Sequence, residues 1–275
     1  RVALFSYCAR ILTSTSVAEK LALVHELERG MPGGAFEATI DDVDLVDNMN
    51  LPLHPGRPVR PRLVSPRDVP TRGFGSERGR AALIHAIAHI EFNAIHLAID
   101  ASARFRTMPE RFRRDWIGVA IEEARHFELL AAWLAARGYA YGDFDAHDGL
   151  WDMARKTVDD VVARMALVPR VMEARGLDVT PALRARFAQA GDTEAARILD
   201  VILADEIGHV AIGNHWFHWI CAERALDPIA TAATLAARHA APVTRPPINT
   251  AARLAGGFSE AEVAALVERA GAKPA

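Results

Sequence analysis

Six residues in this chain have the types and spacing to hold a pair of metal ions: Glu91, Glu123, His126, Glu173, Glu206 and His209. Glu123 with His126 and Glu206 with His209 each form an E-x-x-H pair, and three-residue spacing on a helix points both side chains the same way, one turn apart. Four carboxylates nearly neutralise two divalent cations and some can bridge them, while one imidazole per metal leaves positions open for water or dioxygen. Hard oxygen donors with few nitrogens favour two iron ions, manganese or a mixed Mn/Fe pair over a structural zinc, which takes Cys or more His. One E-x-x-H on a helix is a weak signal. Two of them, joined by two lone carboxylates in the right order, form a specific pattern, set against the plainer reading of separate salt bridges in an ordinary bundle.

An acid precedes each motif, Glu122 before Glu123 and Asp205 before Glu206. A ligating histidine usually gives its second N–H to a carboxylate, which fixes its tautomer. Glu122 and Asp205 are therefore candidates to orient the histidine of the opposite motif and to relay protons, with plain surface acids as the equal alternative.

Helices must position these groups. The apolar periodicity predicts a first long helix from Glu77 to about Arg106, on which Glu91 falls within the stripe of Leu83, Ile84, Ile87, Ile90 and Ile95. His85, His89 and His96 fall on a different face, where solvation is expected. Thr107 and Glu110 have the spacing of a capping box, with Pro109 in the first turn of a second helix that ends at Gly138. Trp116, Val119, Ala120, Phe127 and Leu130 define its inner face, and Glu123 and His126 lie within that arc. A third helix is expected after Gly149, reaching Arg175 before Gly176 stops it, with Pro169 kinking it just before Glu173. Thr180–Pro181 opens a short helix to Ala190, which would make up the height that Glu173, near its helix end, lacks. Gly191–Asp192 opens a fourth long helix to Glu223, whose inner face of Ile198, Leu199, Ile202, Gly213 and Trp216 includes Glu206 and His209.

Spacing gives a separate check. Glu91 and Glu123 stand equally far before and after Thr107, so an antiparallel hairpin puts both at one height, roughly 24 Å from the turn at 1.5 Å per residue. Gly208 and Gly213 would admit close approach of another helix or a substrate. Trp216, Trp219, His215 and His218 make an aromatic cluster, read as packing ahead of a substrate wall. None of Tyr7, Tyr139 and Tyr141 is expected beside the metals.

Outside the bundle, Thr15 or Ser16 caps a helix to about Arg29, which Gly30, Pro32, Gly33 and Gly34 stop. Acidic turns follow around Asp41 to Asp47. From Leu51 to Gly75 closely spaced prolines exclude helix and central strand. This stretch is expected to be an extended strap, pinned by Arg57, Arg60, Arg62, Arg67, Arg72, Arg78 and Arg80 to acidic helix faces, with an anion or nucleic acid as the alternative partner of those arginines. In the tail, a helix follows Pro228, Pro242, Pro246 and Pro247 form a loop, and Ser259 with Glu262 caps a last helix. The organisation expected is an N-terminal helix and strap over 1–75, a four-helix bundle over 76–224 and a helical extension over 225–275.

With 275 residues, 51% of them apolar, the chain can bury a substantial core. A formal charge of −3 gives no general pull toward nucleic acid or anionic lipid. Cys8 and Cys221 belong to no C-x-x-C pair, which argues against a rubredoxin-like iron site or a disulfide framework. No uninterrupted apolar run spans a bilayer, and Arg1 to Tyr7 lack the pattern of an export signal, so a cytoplasmic protein without membrane contact is expected.

Several stretches together resemble the DUF455 family of the ferritin-like superfamily. They are Pro55-Gly56-Arg57-Pro58, Gly79 through Leu83 and on through His85 and His89 to Glu91 and Asn93, Glu122 to His126, Val168-Pro169-Arg170, Glu173 to Asp178, and Asp205 to His209. The resemblance covers most of residues 51–224, implies an all-α ferritin-like bundle with a di-iron site, and is distantly similar to a tRNA-modifying hydroxylase family. It leaves the substrate open. The missing cysteine pair departs from rubrerythrins, and the long strap departs from cage-forming ferritins.

The function expected is that of an O2-dependent di-iron oxidoreductase, a hydroxylase or oxidase acting on a small organic or modified-base substrate, with an electron donor as partner. Metal oxidation or storage, and a metal-stapled module binding RNA or protein, are the rivals. A homodimer is compatible with the sequence.

Overall fold

A computed structural model of the protein describes residues 4–30, 51–69 and 73–271. The expected helix stop at Pro32, Gly33 and Gly34, the acidic turns of Asp41 to Asp47, and Arg72 lie outside them. The described residues form helices without a named strand and divide into two compact units, Arg1–Trp151 and Asp152–Ala275.

In the first unit α1 (Leu4–Thr13) and α2 (Val17–Gly30) precede the strap of residues 51–69, and two long helices follow, α3 (Glu77–Arg104) and α4 (Glu110–Ala135). Ser76 caps α3, its hydroxyl accepting from the Gly79 N–H at 3.0 Å. The capping box expected at Thr107 does not form. Pro109 immediately precedes α4 without a side-chain cap, because the turn leaves Thr107 outside the first helical residues. α3 and α4 pack along their lengths and run antiparallel: Ser102 meets Arg113, and Glu91 meets His126, so one index rises as the other falls.

The apolar stripe expected on α3 is only partly right. Ile90 is exposed, and every residue from Glu91 to Ala103 is buried, so the helix there has no solvent face. By length and mean hydropathy α3 could cross a membrane, but 78% of that window is buried inside the protein, as in a core helix.

The strap is extended and pinned. Gly56 donates to the Leu12 carbonyl at 2.6 Å, and a Cβ there would stand 2.1 Å from the Thr13 carbonyl oxygen, so only glycine fits. Arg104 donates to the Pro52 carbonyl and Trp151 to the Leu53 carbonyl. Arg57 pairs with Asp148, and Arg62 with Asp145 at 2.6 Å. Both acids belong to the loop after α4, not to the helix faces expected, and Ala146 of this loop pairs with the strap at Leu63 in a single parallel bridge.

Helix α5 (Gly149–Lys156) crosses from one unit to the next. In the second unit Asp160 caps α6 (Val161–Leu167), which passes through a π-helical segment, Val168–Glu173, into α7 (Ala174–Gln189). This corrects two expectations. Gly176 does not stop the helix, and Pro181 lies inside it. Proline removes one N–H and strands the carbonyl four residues earlier; here that carbonyl, of Leu177, accepts from the Asn249 amide at 3.1 Å. Glu173 therefore sits well inside a long helical run, and no separate short helix is needed to supply height. Asp192 caps α8 (Thr193–Glu223), which runs antiparallel to α7, as Arg184 with Asp200 and Pro169 with Gly213 show. Three further helices complete the unit, α9 (Pro228–Arg238), α10 (Thr250–Ala255) and α11 (Glu260–Gly271). The capping box expected at Ser259 and Glu262 is present, the two residues exchanging bonds of 2.9 and 3.2 Å. The two units thus supply two antiparallel pairs of long helices.

Candidate metal centre

In the first unit α3 presents Glu91 and α4 presents Glu123 and His126, all three nearly inaccessible to solvent. Each offers a ligand atom, and these atoms lie within 4.8 Å of one another. His126 Nδ1 is 3.1 Å from Glu91 Oε2 and 3.3 Å from Glu123 Oε2. The antiparallel register brings Glu91 opposite the E-x-x-H turn, as the equal spacing about Thr107 requires.

Burial pushes the Glu91 carboxyl above its usual range, and the charge of Glu123 pushes it further. Burial also opposes charge on His126, but its contacts with Glu123 and Glu91 outweigh that and hold the imidazolium. Two carboxylates facing one imidazole out of water are costly to hold ionised together without a cation. The donor set of two carboxylates and one imidazole is what a hard divalent ion takes. The residues present therefore fit a metal.

In the second unit α8 carries the other E-x-x-H pair. His209 is fully buried, and its Nδ1 lies 3.5 Å from Glu206 Oε1. Glu173 closes the π-helical segment and is half-buried. Pro169 explains that segment: the backbone pairs one residue further on, with Ala174 N–H donating to the Pro169 carbonyl, and such bulges recur at functional sites. The expected kink is thus taken up as a local widening of the helix. Glu122 and Asp205 are both half-buried.

Histidines 85, 89 and 96 are not solvated, contrary to the expectation from their face on α3; all are buried, and the loop after α4 reaches His85 through the Gly142 N–H and His89 through the Tyr141 hydroxyl. Burial, then the charge of Arg57, lowers the His89 pKa to about 3, so the ring is neutral. His89 Nε2 lies 3.0 Å from the Asn93 amide nitrogen and 3.2 Å from the His147 carbonyl oxygen, and Nδ1 lies 2.8 Å from the Tyr141 hydroxyl. Arg57 ties the strap to this network through Asn93 Oδ1 at 2.9 Å.

Tyr141 belongs to the loop after α4. The loop turns back so that its ring packs 5.2 Å from Phe92 and 5.0 Å from Phe127, the chain neighbours of Glu91 and His126. Distance along the helix could not reveal this return. The run from Arg57 to Asn93 was legible only as part of the family resemblance. On α8, His215, Trp216 and Trp219 form the aromatic cluster expected, with ring centroids 4.9 and 5.6 Å apart, while His218 turns away to Glu262.

A helical protein with a buried carboxylate and histidine cluster able to coordinate a metal ion is the class defined by these features. The family model described as "Protein of unknown function (DUF455)" matches residues 13–264, and the chain belongs to that family. It is 45% identical over 260 residues to an uncharacterized protein of Haemophilus influenzae, covering 92% of this chain and 89% of that one. No solved structure matches it.

Proposed function

We propose that the protein is a di-iron oxidoreductase that uses dioxygen to hydroxylate or oxidise a small organic or modified-base substrate, with electrons from a separate donor. The observation that carries this reading is the convergence of Glu91, Glu123 and His126, all buried, with ligand atoms close enough to share a cation that would hold both carboxylates ionised. The matching E-x-x-H pair, Glu206 with His209, together with Glu173 supports a second ligand set of the same composition. Division of six ligands as one Glu from each of two helices and Glu-x-x-His from each of the other two is the pattern of carboxylate-bridged dinuclear proteins.

When bound, two such metals supply a two-electron couple for dioxygen and bridging carboxylates that adjust to changes in charge. The chain's own residues hold and orient. Glu91 and Glu123 both contact His126 Nδ1, and these three side chains would hold a cation in place of those contacts. Burial excludes bulk water, which strengthens every charge interaction inside. Glu122 and Asp205 are the groups assigned to holding a proton at the histidines' second nitrogens.

Anaerobic loading with Fe(II), followed by exposure to oxygen and optical and Mössbauer spectroscopy, tests this function. Two irons per chain converting to a coupled ferric pair is the expected result. One tightly held zinc with no oxygen chemistry would end the proposal. Ferric mineral accumulating far beyond two irons per chain would favour storage instead.

A further inference from the structure

The second unit contains a cavity of about 290 Å³ that no metal ligand lines. That volume is near the lower end of the range of about 300–1,000 Å³ for small-ligand pockets. One wall is α9, where Ala232, Ala233, Ala236 and Ala237 recur at helical spacing and leave room by their smallness. Leu266 of α11 and Val171 of the π-helical segment extend the apolar lining.

Polar side chains are few: Arg170 and Glu262 belong to a fixed cluster, and Thr244 and Arg269 stand outside it. Arg170 lines the cavity while only 5% exposed, between the Phe217 and Phe258 rings at 4.1 and 4.9 Å. Its Nη2 donates to Glu262. Its Nε and Nη1 are buried and have no acceptor among the described residues. Glu262 cannot serve them, because its oxygens already accept from His218 at 2.9 and 3.1 Å and from the Ser259 N–H and hydroxyl at 2.9 and 3.0 Å. Arg269, exposed at the rim, adds a second positive charge, and Glu262 is the sole acid in the lining. Ring faces stabilise the charge of a guanidinium but do not replace an oxygen acceptor in its plane. Buried donors of a charged group are costly to leave without partners.

We propose that this cavity binds a small amphipathic carboxylate, its oxygens accepting from the buried, unpartnered donors of Arg170 with Arg269 at the mouth, and its hydrocarbon body lying against the alanine wall of α9. A carboxylate fits the excess positive charge, and an oxygen acceptor is the chemistry that Arg170 lacks. Alcohols offer a weaker acceptor. Amines bring the wrong charge.

The test is calorimetric titration of the full chain with octanoate, octanol, octylamine and octyl phosphate, each with and without a chelator. Octanoate is expected to bind one per chain, at least tenfold more tightly than the alcohol or the amine and no more weakly than the phosphate, and equally in chelated protein and in Glu123→Gln. Ala236→Phe fills the cavity and should abolish binding with the helical circular dichroism retained. Arg269→Gln, at an exposed position that tolerates change, should weaken octanoate several-fold and leave octanol unaffected. Absence of saturable octanoate binding, equal binding of octanol, tighter binding of octyl phosphate, or loss of binding on chelation would each overturn the proposal. Because the readout needs no metal, its failure and failure of the di-iron reading are separable.

Discussion

Gly213 of α8 lies directly against Pro169 of the π-helical segment: a Cβ built on Gly213 would stand 2.4 Å from the proline Cβ and 2.6 Å from its Cγ. Neither the rigid ring nor the helix backbone can yield cheaply, so the contact fixes how closely α8 passes the segment that ends in Glu173. The other glycine singled out on this helix, Gly208, has nothing within 4 Å of its missing Cβ.

Gly213→Ala should therefore force the two elements apart and destabilise the protein by about 1–3 kcal/mol, the usual cost of overpacking. Gly208→Ala should instead stabilise by about 0.5–1 kcal/mol, by removing a glycine from a helix interior. Chemical denaturation of both variants checks the contrast, and similar effects from the two would show that the proline contact carries no strain.

Metal binding should outweigh the cost of the buried acids. Glu91→Leu leaves Glu123 and His126 as a neutral pair, so the metal-free variant is expected to be at least as stable as metal-free wild type. Its metal content, measured by inductively coupled plasma mass spectrometry, should fall sharply. Retention of the full complement would remove Glu91 from the ligand set.

Adding Fe(II) or Mn(II) without oxygen should raise the unfolding midpoint of wild type, by about 2.7 kcal/mol of stability at a hundredfold excess over Kd. His126→Ala and His209→Ala should each lose part of that gain, and a chelator should remove it in wild type. Calorimetric scans with and without metal provide the comparison.

Acid should act on α11. Burial opposes the charge of Glu262, but the His218 bond, the Arg170 charge and the Ser259 N–H outweigh it and lower its pKa to about 2. The folded value lies below the unfolded one of about 4.3, so the stabilisation is complete above that pH and is lost as pH falls toward 2. The stability difference between wild type and Glu262→Gln should shrink as pH falls below about 4. A difference independent of pH would show that the carboxylate is not held ionised.

Arg57 and Arg62 both join the strap to the loop after α4, yet they should differ in effect. Arg57 is mostly buried, and its loss leaves Asn93 Oδ1 and Asp148 short of a donor, at a cost of about 1–3 kcal/mol for Arg57→Ala. Arg62 is largely exposed, so Arg62→Ala should leave stability unchanged. Limited proteolysis within residues 51–69 should accelerate only in the first variant.

The amino-acid sequence alone determined the candidate ligands and much of their setting. Acids at apolar positions of amphipathic helices are anomalies of local periodicity, so Glu91, Glu123, His126, Glu206 and His209 stand out without any knowledge of tertiary contacts. The hairpin register followed from equal spacing, and the caps at Asp192 and Ser259 from side-chain chemistry within a few residues. Only tertiary structure decided what distant segments cover or rescue. Pro181 stays inside a helix because Asn249 takes the carbonyl it strands, and Gly176 continues the same helix where local propensity said stop. His85 and His89 are buried because the returning loop closes over them, which also brings Tyr141 beside Phe92 and Phe127. Arg170, Glu262 and His218 meet only because α11 folds back onto the second unit. Helical periodicity is a property of neighbours in the chain; burial and partnership depend on residues that are neighbours only in space.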